Sequence, residues 1–268
     1  MTFTVLESIN VSKTADDSVN EDVLLDTPDW LVVCDGATDK TGKTFDGKTG
    51  GYVTAHLTAN TIAQQPPGTP LSKLIDAINE NYALTFPNLP SIDRPSCTFV
   101  ALDKHAATVH RVGDVSWSDG KTVYEGYMVI DEIHANMRAA YLEMLMLDGA
   151  TKHDLMEHDP GRKIILPGLR RQGALRNTAS EFSYGAIDGR HVPEQFMESW
   201  ELDDTVQEII IATDGYPELL PTLKQSEEYL QHELDNDPLR IGKHRGTRAL
   251  IDSYESFDDR TYVRAVKG

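Results

Sequence analysis

Leu31-Val32-Val33-Cys34-Asp35-Gly36 is an apolar run that stops at Asp-Gly, and Ile209-Ile210-Ile211-Ala212-Thr213-Asp214-Gly215 stops the same way. Each reads as a short strand whose end holds a carboxylate on a rigid support. The glycine lets a backbone carbonyl approach whatever the carboxylate binds. Alone, either is most simply a strand followed by a turn, the commonest use of that dipeptide. Two further acidic clusters flank apolar runs, Asn20-Glu21-Asp22 and Asp258-Asp259-Arg260-Thr261, with little basic sequence beside them. Taken together, the four clusters read as a site for bound cations.

Composition narrows the alternatives. The 268 residues carry a formal charge of -18, which argues against a nucleic-acid partner, because a phosphate backbone is bound by Lys and Arg with counterion release. No Pro/Ser/Gly-rich linker divides the chain, so a single domain over 1–268 is expected. Cys34 and Cys97, the only cysteines, lie in apolar strand-like runs and read as reduced core residues of an intracellular protein. The N-terminus lacks a basic start and a long apolar stretch, and no run approaches the length of a membrane span. A soluble, cytoplasmic protein without a membrane partner is expected.

Periodicity predicts strands over 3–9, 23–25 and 30–34, then a helix over 51–63 with Tyr52, Ala55, Ala59 and Ile62 on one face. After the Pro66-Pro67-Gly68 breaker, Leu71, Leu74, Ile75, Ile78 and Tyr82 mark a second helix over 71–83. Hairpin strands follow at 97–102 and 108–112, with another pair around Trp117 and Val123. Residues 126–200 read as a helical or flap elaboration: a long helix through Ile130, Ile133, Met137, Tyr141 and Met144, a shorter one near Leu155, then an irregular stretch rich in Gly and Arg. A strand (208–213), a helix (223–234) and a last strand (262–266) close the chain. Helix pairs between groups of hairpins predict an α+β fold, an α/β/β/α sandwich of two largely antiparallel sheets flanked by helices.

In order and local wording these motifs resemble the metal-dependent protein phosphatases, the type 2C serine/threonine phosphatases, in a bacterial-like form. The resemblance covers nearly the whole chain and is thinnest across the middle. It rests on Asn20-Glu21-Asp22 after the first strand, Asp35-Gly36, Ser96-Cys97-Thr98 leading to Val112-Gly113-Asp114-Val115, Ala212-Thr213-Asp214-Gly215, and the closing Asp258-Asp259-Arg260-Thr261.

The resemblance implies hydrolysis of phosphate monoesters by a water between two Mg²⁺ or Mn²⁺ ions. Phosphoserine or phosphothreonine on proteins is the expected substrate, with a small phosphate ester the other candidate. It implies that Asp35 bridges the two ions, that Gly36 offers its carbonyl to one, and that Asp214 and Asp258 ligate the other. Glu21 would hold a metal-bound water, and Asp22 and Asp259 would support that shell. Asp114 and Glu218 would form a third, weaker metal site. The chemistry suits such a set, since Mg²⁺ and Mn²⁺ take oxygen ligands and keep several waters, so a few Asp groups and a carbonyl suffice.

Two positions depart from the family pattern. Asp17 stands where the family has an Arg that grips the substrate phosphate, and Ala37 follows Asp35-Gly36 where eukaryotic members place a proton-donating His. Replacement cations are sought at Lys13, Lys40, Lys43 and the group Arg162, Arg170, Arg171 and Arg176.

Three other readings compete. Gly42-Lys43-Thr44-Phe45-Asp46-Gly47-Lys48-Thr49 satisfies the phosphate-loop pattern of NTPases, with Met128-Val129-Ile130-Asp131-Glu132 as its acidic strand. That pattern needs a strand directly before its first glycine, and polar residues 35–41 intervene. A haloacid-dehalogenase-like phosphatase needs two Asp separated by one residue, whereas Asp35 and Asp39 are four apart. A catalytically impaired phosphatase-like binding module is favoured by Asp17 and opposed by the intact acidic set.

Overall fold

The computed structural model describes residues 2–38 and 42–268; Asp39 and Lys40 lie outside the described residues. Its framework is two five-stranded antiparallel sheets. One runs β1 (Phe3–Val11), β12 (Arg260–Lys267), β11 (Glu208–Ala212), β8 (Ser116–Ser118) and β9 (Val123–Tyr124) from edge to edge. The other runs β10 (Glu198–Glu201), β7 (Thr108–Val112), β6 (Cys97–Asp103), β3 (Trp30–Gly36) and β2 (Val23–Asp26). A small hairpin, β4 (Thr44–Phe45) with β5 (Lys48–Thr49), leads into helix α1 (Gly50–Ala63).

The uninterrupted apolar runs are explained by burial on both faces of the central strands. Side chains alternate across a strand. In β3, Leu31 and Val33 join Val100, Leu102, Ile209, Ile211, Val263 and Ala265 in the layer between the sheets. Their neighbours Trp30, Val32 and Cys34 face the other way, toward α1 and α2 (Leu71–Thr85), packing with Ala55, Ala59, Leu74 and Ile78. On the far side Ile210, Ala212 and Tyr262 pack with Leu230 of α6 (Leu223–Asn236). The layers are therefore helix, sheet, sheet, helix, as the sequence predicts.

The middle of the chain differs from its expectation in three places. The stretch expected to be irregular contains α5 (Pro160–Arg171), after α3 (Val129–Leu147) and α4 (Lys152–His158). Asp159, at φ +32°, accepts from Arg162 N at 2.9 Å, and Pro160 takes the first helical position, where its missing N–H is unneeded. Gly, Arg and the internal Pro167 mask a buried stripe of Ile165 and Leu169. Residues 198–201, read as elaboration, are edge strand β10, with Trp200 packed 5.1 Å from Trp117. Ile187 likewise pairs with Cys97 and is buried in the core. No helix of the described residues is long and apolar enough to cross a membrane.

Candidate active site

The acidic clusters meet where strand ends of both sheets open onto one cavity of about 1060 Å³, whose wall includes Asp22, Asp35, Asp114, Asp214 and Asp258. Pairing of β3 with β6 sets Asp35 opposite Thr98, and the Thr98 hydroxyl donates to Asp114 Oδ1 at 2.8 Å. Asp214 leaves the end of β11, and Asp258 and Asp259 directly precede β12. Gly36 allows the backbones to close up at this end. A Cβ there would stand 2.5 Å from the Glu21 carbonyl oxygen and 2.7 Å from that of Gly51.

Two carboxylates of the cavity wall pin the sheets together. Asp22 is buried, and its Oδ2 accepts from the hydroxyls of Thr213 at 2.7 Å and Thr261 at 3.1 Å, joining β2 to the opposite sheet. Asp259, also buried, accepts from Lys13 N at 2.8 Å, Glu21 N at 3.1 Å and Lys13 Nζ at 3.1 Å. The resemblance assigns both to a supporting shell.

The field inside the cavity is strongly acidic. Enclosure first, then Asp258 and Asp114, pushes the Asp214 carboxyl up to about 7, although its surface is open to the lumen. Burial lifts Asp114 to about 6 against the lowering effect of the Thr98 hydrogen bond. Burial, then Asp22 and Asp214, raises Asp35 well above the carboxylate range. Among the described residues, neither Asp35 nor Asp214 has a hydrogen-bonding or ion-pairing partner for its carboxylate. A divalent cation is the group that would relieve both.

Other expected ligands are already engaged. Asp258 is gripped by Lys13 Nζ at 2.8 Å and Arg248 Nη2 at 2.7 Å, so the expectation of little basic company fails in three dimensions. Burial would lower the Lys13 ammonium, yet Asp258 and Asp259 hold it above its ordinary value. Glu21 lies outside the cavity wall, its oxygens accepting from Thr38 and Thr49 at 2.6 Å each. Glu218 is on the wall but is bound by Lys243, with His244 at 3.5 Å.

No group of three His, Cys, Asp or Glu among the described residues is arranged to hold one ion. The donors present fit a hydrated Mg²⁺ or Mn²⁺, which needs only one or two carboxylates and keeps its waters. Asp35 and Asp214 would hold such an ion, with Asp114 and the shared Asp258 beside them.

The positions tied to the missing arginine also resolve. Asp17 is exposed, accepts from Ser12 N at 2.9 Å and does not line the cavity. Of the replacement cations, Lys13 is in the acidic cluster, Lys43 pairs with Asp93 at 2.9 Å, and Arg176 donates to Arg94 O at 2.7 Å. Arg162 is bound to Thr247 O at 2.8 Å, Arg170 is on the cavity wall, and Arg171 is exposed away from it. Lys48 of the phosphate-loop pattern lies in the β4–β5 hairpin, 4.5 Å over the Tyr52 ring, with Nζ donating to Ser18 O at 2.6 Å. Asp131 and Glu132 open helix α3 rather than ending a strand.

Compared with solved structures, the chain aligns along its full length with the Mycobacterium tuberculosis serine/threonine phosphatase PstP/Ppp. The TM-score is 0.51 and the identity 16%, over 99% of each chain. The chain has the fold of the bacterial serine/threonine phosphatases. The same phosphatase fold aligns with a bacterial serine phosphatase (TM-score 0.50, 14% identity, 98% of each chain). It also aligns with the serine/threonine phosphatase Stp1 from Staphylococcus aureus (TM-score 0.50, 13% identity, 99% of this chain and 96% of that one). No family model and no curated protein matches the sequence.

Sequence reasoning missed the arginines that this phosphatase fold brings into the cavity. Arg240 and Arg248 belong to the loop Arg240-Ile241-Gly242-Lys243-His244-Arg245-Gly246-Thr247-Arg248, in which four of nine residues are Lys or Arg. In a chain of net charge -18, that density was the available signal.

Proposed function

We propose that this chain is a metal-dependent phosphoric monoester hydrolase acting on phosphoserine and phosphothreonine of proteins. The observation that carries the reading is the pair Asp35 and Asp214, which open into one cavity with no cation of the described residues on either carboxylate. The full-length phosphatase fold supports it. Bound Mg²⁺ or Mn²⁺, two ions in the reading favoured here, would stabilise charge on phosphoryl oxygens and activate a water for in-line attack.

The chain's own residues prepare the site. Thr98 orients Asp114, and Asp22 locks the ends of β11 and β12 so that Asp214 projects from a rigid support. Lys13 and Arg248 partly neutralise Asp258, which lowers the repulsion a dianionic phosphate meets on entry. Buried, unpaired Cys34 and Cys97 support a reducing, cytoplasmic setting.

The engagement of Asp258 and Glu21 by the protein's own side chains favours a second reading, a phosphatase-like binding module. One experiment separates the two: hydrolysis of p-nitrophenyl phosphate and of phosphoserine and phosphothreonine peptides with Mn²⁺, Mg²⁺ or EDTA. EDTA-sensitive turnover is expected. Phosphopeptide binding without turnover under either ion would select the module.

A further inference from the structure

We infer that Arg240 is the residue that grips the substrate phosphate, acting from the loop before β12 in place of the arginine missing at position 17. The inference rests on the phosphatase reading and names a binding residue for it.

Most cations of the loop are spent on protein partners. Lys243 is bound to Glu218, Arg245 Nη1 donates to Asn136 Oδ1 at 2.7 Å, and Arg248 is held by Asp258 and by Phe257 O at 3.0 Å. From its side chain Arg240 donates Nε to His244 O at 3.3 Å. Among the described residues, its terminal nitrogens have no acceptor and no carboxylate lies within ion-pair distance. Arg240 lines the cavity, and the carboxylates whose fields act on it are Asp214 and Asp258. Arg240 is half-buried with its unused N–H fork on the cavity wall, and a phosphate matches that fork in shape and charge.

The loop builds a seat for this side chain. Arg240 has φ +50°, a left-handed conformation uncommon for a non-glycine residue. Its guanidinium stacks 4.8 Å from the Phe257 ring. A Cβ on residue 246 would stand 2.8 Å from Arg240 Nε, so a larger residue there would push the Arg240 side chain from this seat. Fully buried Arg138, clamped to Asp159, donates from Nη1 to Leu239 O at 2.8 Å and Gly246 O at 3.1 Å, fixing the loop on both sides of Arg240. Strain and anchoring converge on one side chain whose terminal nitrogens no group of the described residues then uses.

The test is steady-state hydrolysis of p-nitrophenyl phosphate at saturating Mn²⁺ by wild type, Arg240→Gln and Arg240→Lys. Inorganic phosphate serves as competitive inhibitor and, separately, as a ligand in calorimetry. Arg240→Gln should raise KM and the phosphate inhibition constant together by about ten- to hundredfold, the loss of a charge-assisted hydrogen-bond pair. Its kcat should change much less, because ground and transition states lose the same contact. Arg240→Lys should recover part of the loss, and reports alone if the glutamine variant fails to fold. Unchanged KM and inhibition constants would overturn the proposal. So would tighter Mn²⁺ binding by Arg240→Gln with phosphate affinity untouched, which would make Arg240 a mere counterion of Asp214. If wild type hydrolyses nothing with any metal, the phosphatase reading fails and calorimetry decides alone. Phosphate binding lost in Arg240→Gln then sustains the grip, and binding retained, or absent from wild type, overturns it.

Discussion

Replacing Lys13 by Met removes the ammonium at the centre of the acidic cluster with little change in volume. Lys13 Nζ lies 2.8 Å from Asp258, 3.1 Å from Asp259 and 3.7 Å from Glu21, and its side chain is only 8% exposed. Breaking a buried ion pair from one side costs about 3–5 kcal/mol, because the remaining charge is left uncompensated. Asp259 and Glu21 are as buried as Lys13, whereas Asp258 is 32% exposed and keeps Arg248. The lower end, about 3 kcal/mol, is therefore expected for metal-free protein. For a chain of this size that is a fall in Tm of about 6–12 °C. Urea and thermal unfolding in EDTA measure it. Mn²⁺ should then stabilise Lys13→Met by more than it stabilises wild type, since the ammonium no longer competes for Asp258. A loss below about 1 kcal/mol in EDTA, or an equal Mn²⁺ response in the two proteins, would show that Lys13 does not balance this cluster.

Asp35→Asn and Asp214→Asn should each lower kcat by about a hundredfold or more, by analogy with loss of one electrostatic stabiliser, while circular dichroism stays that of wild type; near-normal turnover at saturating Mn²⁺ would contradict the assignment. Lys48→Ala should leave turnover unchanged and ATP unbound, because Lys48 is engaged by Tyr52 and Ser18 away from the cavity; tight ATP binding abolished by that change would reinstate the nucleotide reading. Asp17→Arg should leave KM unaltered, since Asp17 is turned to Ser12 N and solvent; a lowered KM would place it beside the phosphate after all. Burial holds the His110 imidazole below its ordinary pKa, with Ser199 at 2.8 Å. As pH falls below about 6.5 the unfolded chain gains a proton that the folded chain refuses, so this contribution is intact above that value and lost below it. Wild type should accordingly lose more unfolding free energy than His110→Gln between pH 7.5 and 5.5; equal losses would refute the point.

The sandwich was legible in the chain because its central strands carry local signals. Apolar runs ending in Asp-Gly, the 71–82 helical stripe and the Pro66-Pro67-Gly68 break each depend on residues a few positions apart. The α5 helix and the β10 edge were illegible for the same reason. Proline, glycine and glutamate weaken local propensity, and capping by Asp159 and pairing with β7 override it.

The sequence by itself determined that carboxylates stand at the ends of buried strands, and in which order. Only the tertiary structure decided which of those carboxylates are free. Lys13 reaches Asp258 across 245 positions, and Arg248 reaches it from a loop. Glu21 turns to Thr38 and Thr49, and Glu218 to Lys243. Among the described residues, Asp35 and Asp214 are left open, facing the same cavity as Arg240. Strand and turn formation is governed by neighbours along the chain, whereas charge pairing falls off with distance through space. The division between spent and unspent charges is therefore a property of the folded molecule.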